Sequence, residues 1–79
     1  MEKNFKCMNE KGEWEIVSGL NELINKIKKG EIKELEINDI TEDEMEKIQE
    51  AIKKENLNYR IEQRYLLDLV RKSFLKIVR

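Results

Sequence analysis

The sequence predicts a two-layer α/β (α+β) sandwich, in which a four-stranded mixed sheet carries helices on one face. Three observations support this fold class. The apolar pattern switches between periods near 2 and near 3.6 residues, in the order ββαβαβα. The strand segments alternate apolar and polar side chains, which predicts a sheet with one buried face and one solvent-facing face. Proline is absent and glycine occurs only three times, so residues 1–79 are predicted to form a single small domain without a linker.

Residues 4–8 and 13–17 are predicted to form a β-hairpin, for which two registers are possible. A three-residue loop pairs Asn9 with Glu13 and sets glutamates on the same face as the apolar side chains of the first strand. A four-residue loop ending at Gly12 instead gathers the apolar side chains on one face: Phe5, Cys7, Trp14 and Ile16. Because a slip of one residue moves a whole strand face to the other side of the sheet, the four-residue loop is preferred.

A first helix is predicted between Ser18 and Gly30. Ser18 is a suitable N-cap residue, and Gly30 is a suitable stop because glycine adopts the left-handed conformation that ends many helices. Between them, apolar residues recur at i, i+3, i+4 and i+7, which places them on one helix face. These residues are Leu20, Leu23, Ile24 and Ile27.

Residues 31–65 predict a strand–helix–strand unit around which the rest of the chain is organised. Thr41 and Glu44 have the Thr-x-x-Glu spacing of a capping box, in which each side chain accepts a hydrogen bond from the backbone N–H of the other. Asn56 is a suitable left-handed stop. The apolar face of the helix is formed by Met45, Ile48, Ala51 and Ile52. If both connections are right-handed, strands two, three and four run parallel, and strand one runs antiparallel at the end of the sheet.

The last segment, residues 66–79, predicts an amphipathic C-terminal helix. Its apolar side chains fall within an arc of about 120° at 100° per residue: Leu66, Leu67, Val70, Phe74, Ile77 and Val78. Leu69 and Leu75 lie at the flanks of this arc, which makes them candidates for a contact between two copies in a homodimer. A membrane-surface role for this helix is less favoured, because a small sandwich needs the same apolar arc to complete its core.

The charges are distributed unevenly along the chain, although the net charge is only −1. Residues 1–56 carry a net charge of −5, residues 57–79 carry a net charge of +4, and every arginine lies in the last 20 residues. Arg60 and Arg64 alternate with apolar residues and are predicted to share the solvent-facing side of the last strand. The candidate contact residues for a partner or a nucleic acid are Arg60, Arg64, Arg71, Lys72, Lys76 and Arg79.

The sequence lacks or nearly lacks two residue types on which catalysis and metal binding commonly depend, histidine and cysteine. Histidine is absent, which removes the commonest acid–base group and the commonest metal ligand. The single cysteine, Cys7, lies in a predicted strand with no histidine to activate it, and is interpreted as a small buried apolar residue. The sequence contains no Gly-rich phosphate loop and no EF-hand spacing, so no enzymatic activity, cofactor or metal site is expected.

The cytoplasm is the location expected for this chain. A single cysteine suits a reducing compartment, and the N-terminal segment lacks the apolar region of a signal peptide. No apolar run approaches the ~18 residues that a membrane span needs. With 42% charged residues, the surface is expected to be well solvated.

The function favoured by these observations is a small non-enzymatic protein–protein interaction module of the adaptor or inhibitor type. The composition, rich in Lys, Glu, Ile and Asn, is typical of a small bacterial or mobile-element protein. The alternative is a nucleic-acid-binding protein that uses the basic strand and helix at the C-terminus. The solvent-facing sheet side also carries Glu34, Glu36 and Glu62, which would repel phosphate. The aromatic residues are predicted to point inward, away from any stacked base: Phe5, Trp14, Tyr59 and Phe74.

Overall fold

The computed structural model describes residues 2–66 and 70–78, which form an antiparallel sheet of five strands and two helices. The elements follow in the order β1 (Asn4–Asn9), β2 (Trp14–Ser18), α1 (Leu20–Lys28), β3 (Ile32–Glu36), α2 (Glu42–Lys54), β4 (Asn58–Leu66) and β5 (Val70–Val78). The strands are arranged as β2-β1-β3-β5-β4, so β2 and β4 are the two edges. Neither of the described helices is long and apolar enough to cross a membrane.

The sheet differs from the predicted four-stranded mixed sheet in the way its strands are paired. β2, β3 and β4 run in the same direction, as expected for strands joined by crossovers, but they are not neighbours. Each crossover leaves a gap of one strand, and an antiparallel strand fills it: β1 between β2 and β3, and β5 between β3 and β4. All adjacent pairs are therefore antiparallel, and the predicted mixed sheet is wrong.

The predicted C-terminal helix is also wrong, because Val70–Val78 forms strand β5. This segment supports both periodicities, since the side chains that share a helical arc also include the β-branched and aromatic residues that favour strands. Long-range pairing decides between the two structures: β5 pairs with β3 on one side and with all nine residues of β4 on the other. Tertiary context overrides the local helical pattern here.

The core lies between the two helices and one face of the sheet. The helices contribute the apolar faces that the sequence predicts, including Leu23 and Ile27 of α1 and Ile48 and Ile52 of α2, all buried. The strands contribute alternate residues that pack in the same cluster: Phe5, Cys7, Val17, Leu35, Leu75 and Ile77. Because strand side chains alternate between the two faces, the intervening residues lie on the opposite side of the sheet.

The two helices are capped differently. The capping box of α2 is confirmed: the Glu44 N–H donates to Thr41 Oγ1 over 3.2 Å, and the Thr41 N–H donates to Glu44 Oε1 over 2.9 Å. The predicted Ser18 cap of α1 is wrong, because the N-cap is Gly19, with φ of 88° and no side-chain cap. The Ser18 hydroxyl instead donates to Asn4 Oδ1 of the neighbouring strand over 3.0 Å. Asn56 adopts the predicted left-handed conformation, with φ of 57°.

The hairpin adopts the three-residue loop, so the preferred register with a four-residue loop is wrong. Cys7 pairs with Glu15, and the Asn9 N–H donates to the Glu13 carbonyl over 2.9 Å. The Asn9 side chain stabilises this loop, because its Oδ1 accepts hydrogen bonds from the Lys11 and Glu13 N–H groups. The glutamate that this register places on the helix side, Glu15, ion-pairs across 3.7 Å with a lysine of α1, Lys26. The register moves Trp14 and Ile16 to the other face of the sheet.

Candidate functional site on the open face of the sheet

The sheet face opposite α1 and α2, here called the open face, is not covered by either helix. Its side chains are those that alternate with the core residues along each strand. From one edge of the sheet to the other they include Trp14 and Ile16 of β2, Lys6 and Met8 of β1, Glu34 and Glu36 of β3, Val70, Lys72, Phe74, Lys76 and Val78 of β5, and Arg60, Glu62 and Arg64 of β4. This face therefore combines apolar, aromatic and charged groups, whereas the covered face is largely aliphatic.

A groove of about 340 Å³ lies across the middle of the open face. Its apolar wall is formed by two aromatic rings, Trp14 and Phe74, whose centroids are 5.7 Å apart at an interplanar angle of 55°. Phe74 is only 5% exposed, while Trp14 is 40% exposed. The guanidinium of Arg64 lies over the Phe74 ring, with Cζ 4.4 Å from the centroid, within the range of a cation–π interaction. The remaining lining residues are Lys6, Glu36 and Lys72.

Arg64 is held in place by a buried carboxylate. Its Nη2 donates a short hydrogen bond to Glu34 Oε1 and lies 3.4 Å from Glu62 Oε2. Glu34 is 7% exposed, and a carboxylate so deeply buried is stable only with a partner. The hydrogen bond to Glu34 raises the pKa of Arg64 above its ordinary value. The guanidinium therefore serves two neighbours at once, neutralising Glu34 and covering Phe74.

The charges on the open face form an alternating pattern with a small excess of positive charge. Among the described residues, five cations face three carboxylates on this side of the sheet. Lys72 Nζ lies 3.2 Å from Glu36 Oε1, so this pair is satisfied. Lys6 and Lys76 form no ion pair within the part of the chain that the structure describes. Lys6 is exposed and lines the groove, which leaves its ammonium group available to a bound anion.

The structure brings together four of the six basic residues predicted as contacts. Arg60, Arg64, Lys72 and Lys76 share the open face of the neighbouring strands β4 and β5. Arg71 lies on the other side of the sheet, because it alternates with Lys72 along β5 and pairs with Tyr65. Arg79 lies outside the described residues, as does Leu69, one of the two leucines predicted to contact a second copy. The other, Leu75, is fully buried in the core and pairs with Leu35, so it cannot contact a partner.

The sequence does not predict the groove, because its patterns place two of the lining residues on the wrong face. The preferred hairpin register predicts Trp14 in the core with Phe5 and Cys7, but the three-residue loop places it on the open face. The helical pattern predicts Phe74 on an apolar arc, but in β5 its ring lies beside Trp14. The signal that identifies this face was present in the alternative hairpin register, which separates Trp14 and Ile16 from Phe5 and Cys7.

The chain matches no protein-family model, no curated protein and no solved structure at a significant level.

The described groove offers apolar surface and charged groups to a ligand. In residues 2–66 and 70–78, no group of three or more His, Cys, Asp or Glu side chains is placed to hold a metal ion. Cys7 is buried on the covered face, and desolvation raises the pKa of its thiol to about 12. The thiol is therefore protonated at neutral pH and faces the core, away from the groove. The groove itself presents an aromatic wall beside ammonium groups, which suits a ligand with an apolar part and an anionic part.

Proposed function

We propose that this chain is a non-enzymatic protein-binding module that binds an extended partner segment in the groove on its open face. The observation that carries the proposal is an exposed tryptophan, Trp14, beside Lys6, which has no ion pair to the described residues, on a sheet face that neither α1 nor α2 covers. Tryptophan and arginine are enriched among the residues that dominate binding energy at protein interfaces. The segment proposed carries an apolar side chain next to an acidic one.

Two properties of the groove support this proposal: its volume, and the ion pairs that some of its charged residues already form. Its volume of about 340 Å³ lies at the lower end of the range for ligand-binding clefts, which suits a side chain of a partner better than a large cofactor. Arg64 is already engaged with Glu34, and Lys72 with Glu36, so neither is the first group to meet an incoming carboxylate. Lys6 is therefore the proposed contact for the acidic residue, and Trp14 for the apolar one. The proposed location is the cytoplasm, where a single reduced cysteine is ordinary.

Binding of single-stranded nucleic acid is the second candidate function, and the position of Trp14 favours it. An exposed aromatic ring on a sheet face beside lysines and arginines is the arrangement on which bases stack. The carboxylates of Glu34, Glu36 and Glu62 lie on the same face and oppose this function. Only one exposed ring is present among the described side chains of this face, whereas sheet surfaces that bind RNA stack two or three bases.

The test is a selection of peptides from a random display library on the wild-type protein, followed by titration of the selected peptides. The selected sequences are expected to combine an acidic residue with an aromatic or large aliphatic residue. Trp14→Ser is expected to weaken binding roughly 30-fold, as for an interface residue that contributes about 2 kcal/mol. Lys6→Glu is expected to weaken binding and to reverse its salt dependence. Lys47→Glu, on the exposed side of α2, is the matched control and is expected to bind as the wild type does.

Titration of ten-nucleotide oligo(dT) and oligo(rU) at about 50 mM and 200 mM salt separates the two candidates. Oligonucleotide affinity that falls steeply with salt and disappears in Trp14→Ser would replace the proposed function with the second candidate. Peptide binding that is equally strong in wild type and Trp14→Ser would remove the groove as the binding site. If neither peptides nor oligonucleotides bind, both functions are rejected.

A further inference from the structure

Strand β4 is an edge strand with nine residues and a complete row of outward-facing backbone groups. The direction of these groups follows from Ser73 on the neighbouring strand. Its carbonyl accepts from the Ile37 N–H over 3.0 Å, and its N–H donates to Asn38 Oδ1 over 2.6 Å, so both groups point towards β3. Because these directions alternate along a strand, the even-numbered residues of β5 bond to the even-numbered residues of β4. The N–H and C=O groups of the odd-numbered β4 residues therefore point away from the sheet: Tyr59, Ile61, Gln63 and Tyr65.

The same edge exposes apolar side chains on the helix side of the sheet. Ile61 is 48% exposed and Tyr65 is 69% exposed, because β4 extends beyond the cover that the helices provide. A long edge strand with exposed apolar side chains pairs readily with another strand, and proteins usually protect such an edge. The other edge strand, β2, is shorter, with five residues.

We propose that β4 pairs antiparallel with β4 of a second copy of this chain, about a two-fold axis at Ile61. A two-fold axis perpendicular to the sheet relates two antiparallel strands and keeps the open faces of both copies on one side. It also requires that a residue of β4 lie opposite itself. The choice of this residue decides which charges meet across the axis.

Charge complementarity selects Ile61 as the residue on the axis. With Ile61 opposite itself, Arg60 of each copy lies opposite Glu62 of the other, and this favourable pair occurs twice. With Glu62 on the axis, the two Glu62 carboxylates face each other. Arg60 of each copy then lies opposite Arg64 of the other, which occurs twice, so all three pairs are unfavourable. With Gln63 on the axis, Glu62 of each copy lies opposite Arg64 of the other, but this guanidinium is already engaged with Glu34, and the more exposed Arg60 has no carboxylate opposite it. The pairing at Ile61 also brings the two exposed isoleucine side chains together on the helix side.

The resulting dimer has one continuous sheet of ten strands and carries two grooves on the same face. Its formation does not depend on what the groove binds, because the dimer uses the outward-facing backbone groups of β4, whereas Trp14 belongs to β2 at the opposite edge of the sheet and lies on its open face. Loss of peptide binding in Trp14→Ser and loss of dimerisation in a β4 variant are therefore separate results.

Sedimentation equilibrium of charge-reversal variants tests the pairing. The wild type is expected to have about twice the chain mass of 9.5 kDa. Arg60→Glu and Glu62→Arg each place like charges opposite one another and are expected to raise the dimer dissociation constant at least ~10-fold. An equimolar mixture of the two variants restores opposite charges at both positions, so it is expected to dimerise as the wild type does. Circular dichroism of each variant confirms that it is folded.

Disulfide cross-linking tests the axis independently. Hydrogen-bonded antiparallel residues have Cα atoms about 5.5 Å apart, which a disulfide can span, so Ile61→Cys is expected to form a cross-linked dimer on mild oxidation. The native Cys7 is buried and does not interfere. Ile16→Cys, an exposed isoleucine on the opposite edge of the sheet, is the matched control and is expected to remain uncross-linked at the same concentration.

If the wild type remains monomeric at a concentration of about 1 mM, the proposal is overturned. A dimer dissociation constant above this concentration corresponds to an association free energy of less than about 4 kcal/mol. A dimer that ignores both charge reversals, or one that cross-links through Gln63→Cys or Ile16→Cys rather than Ile61→Cys, overturns the pairing at Ile61. A dimer that responds to the single reversals, recovers on mixing and cross-links through Ile61→Cys supports it.

Discussion

The two faces of the sheet are made by the same five strands but have opposite chemistry. The covered face is aliphatic and contributes most of the core, including Leu35 and Leu75 at its centre. The open face carries cations, carboxylates and two aromatic rings, and its most buried polar group is Glu34. The difference follows from period-2 alternation, which directs one set of strand side chains against the helices and leaves the other set on the face that α1 and α2 do not cover.

The forces that stabilise the two faces also differ. On the covered face, burial of apolar area stabilises each side chain by about 1.5–3 kcal/mol. On the open face, exposed ion pairs contribute about 0–1 kcal/mol each. The pair between Arg64 and Glu34 is the exception, because Glu34 is shielded from water and depends on its cation. We therefore expect substitutions to separate the two faces by the size of their effect.

The largest expected effect is on the covered face, at Leu75. Leu75→Ala leaves a cavity at the centre of the sheet and is expected to lower the free energy of unfolding by about 2–5 kcal/mol. The matched substitution on the open face is Ile16→Ala, where the side chain is 67% exposed and the expected loss is below about 0.5 kcal/mol. Urea denaturation of both variants measures the difference. Equal losses would contradict the placement of Leu75 in the core.

A smaller effect is expected on the open face at Arg64, which pairs with the buried carboxylate of Glu34. Arg64→Met keeps an apolar contact with Phe74 but leaves the Glu34 carboxylate without its cation, so we expect a loss of about 1–3 kcal/mol. Adding Glu34→Gln removes the unpaired charge and is expected to recover part of this loss. The control is Arg60→Met, which removes an exposed ion pair to Glu62 of 3.7 Å and should lose below about 1 kcal/mol. Denaturation curves for the wild type and the three variants test this. A double variant as unstable as Arg64→Met would rule out charge burial as the cause.

The smallest expected effect on stability is in the helical layer that covers the sheet, at Glu44 in the first turn of α2. The hydrogen bond from Lys3 Nζ, of 2.8 Å, and the N–H of Thr41 lower the pKa of Glu44. A lowered pKa in the folded state stabilises the fold above the unfolded pKa of about 4.3, and this contribution is lost as the pH falls through the folded pKa. The wild type is therefore expected to be more stable than Glu44→Gln at pH 7. This advantage is expected to decrease once the pH falls below the unfolded pKa of about 4.3 and to vanish when the pH is below the lowered folded pKa.

Urea denaturation between pH 7 and pH 2 measures this advantage, with Glu46→Gln as the control. Glu46 is exposed on the same helix and forms no ion pair with the described residues. A difference between wild type and Glu44→Gln that stays constant with pH would show that the carboxylate charge does not stabilise α2.

The sequence identified correctly those elements that depend on neighbours close in the chain. The α2 capping box needs only Thr41 and its third neighbour Glu44, and the left-handed stop at Asn56 needs only its own backbone. The apolar face of α1 follows from its period. Alternation along β4 correctly placed Arg60 and Arg64 on the face opposite Tyr59. In each case the information lies within one helical turn or one strand, where local sterics and hydrogen bonds decide the structure.

The candidate site was predicted only in part, for a physical reason. The basic character of Arg60, Arg64, Lys72 and Lys76 predicts them as contact residues, and the structure places them together on one face. The groove also needs Lys6, Trp14 and Glu36, which come from three other strands, and no spacing along the chain records that these strands meet. The position of Trp14 depended on a choice between two hairpin registers, which the loop hydrogen bonds of Asn9 decide.

The sequence by itself determined an α+β domain with one buried and one open sheet face, the two helices and their apolar sides. Only the tertiary structure decided that residues 70–78 form a strand. Both a helix and a strand satisfy the local pattern of this segment, and the choice follows from the gap that the crossover through α2 leaves between β3 and β4. Filling this gap satisfies the backbone groups of three strands at once and places Leu75 in the core and Phe74 in the groove. Such a gain depends on residues distant in the chain, and local periodicity contains no information about it.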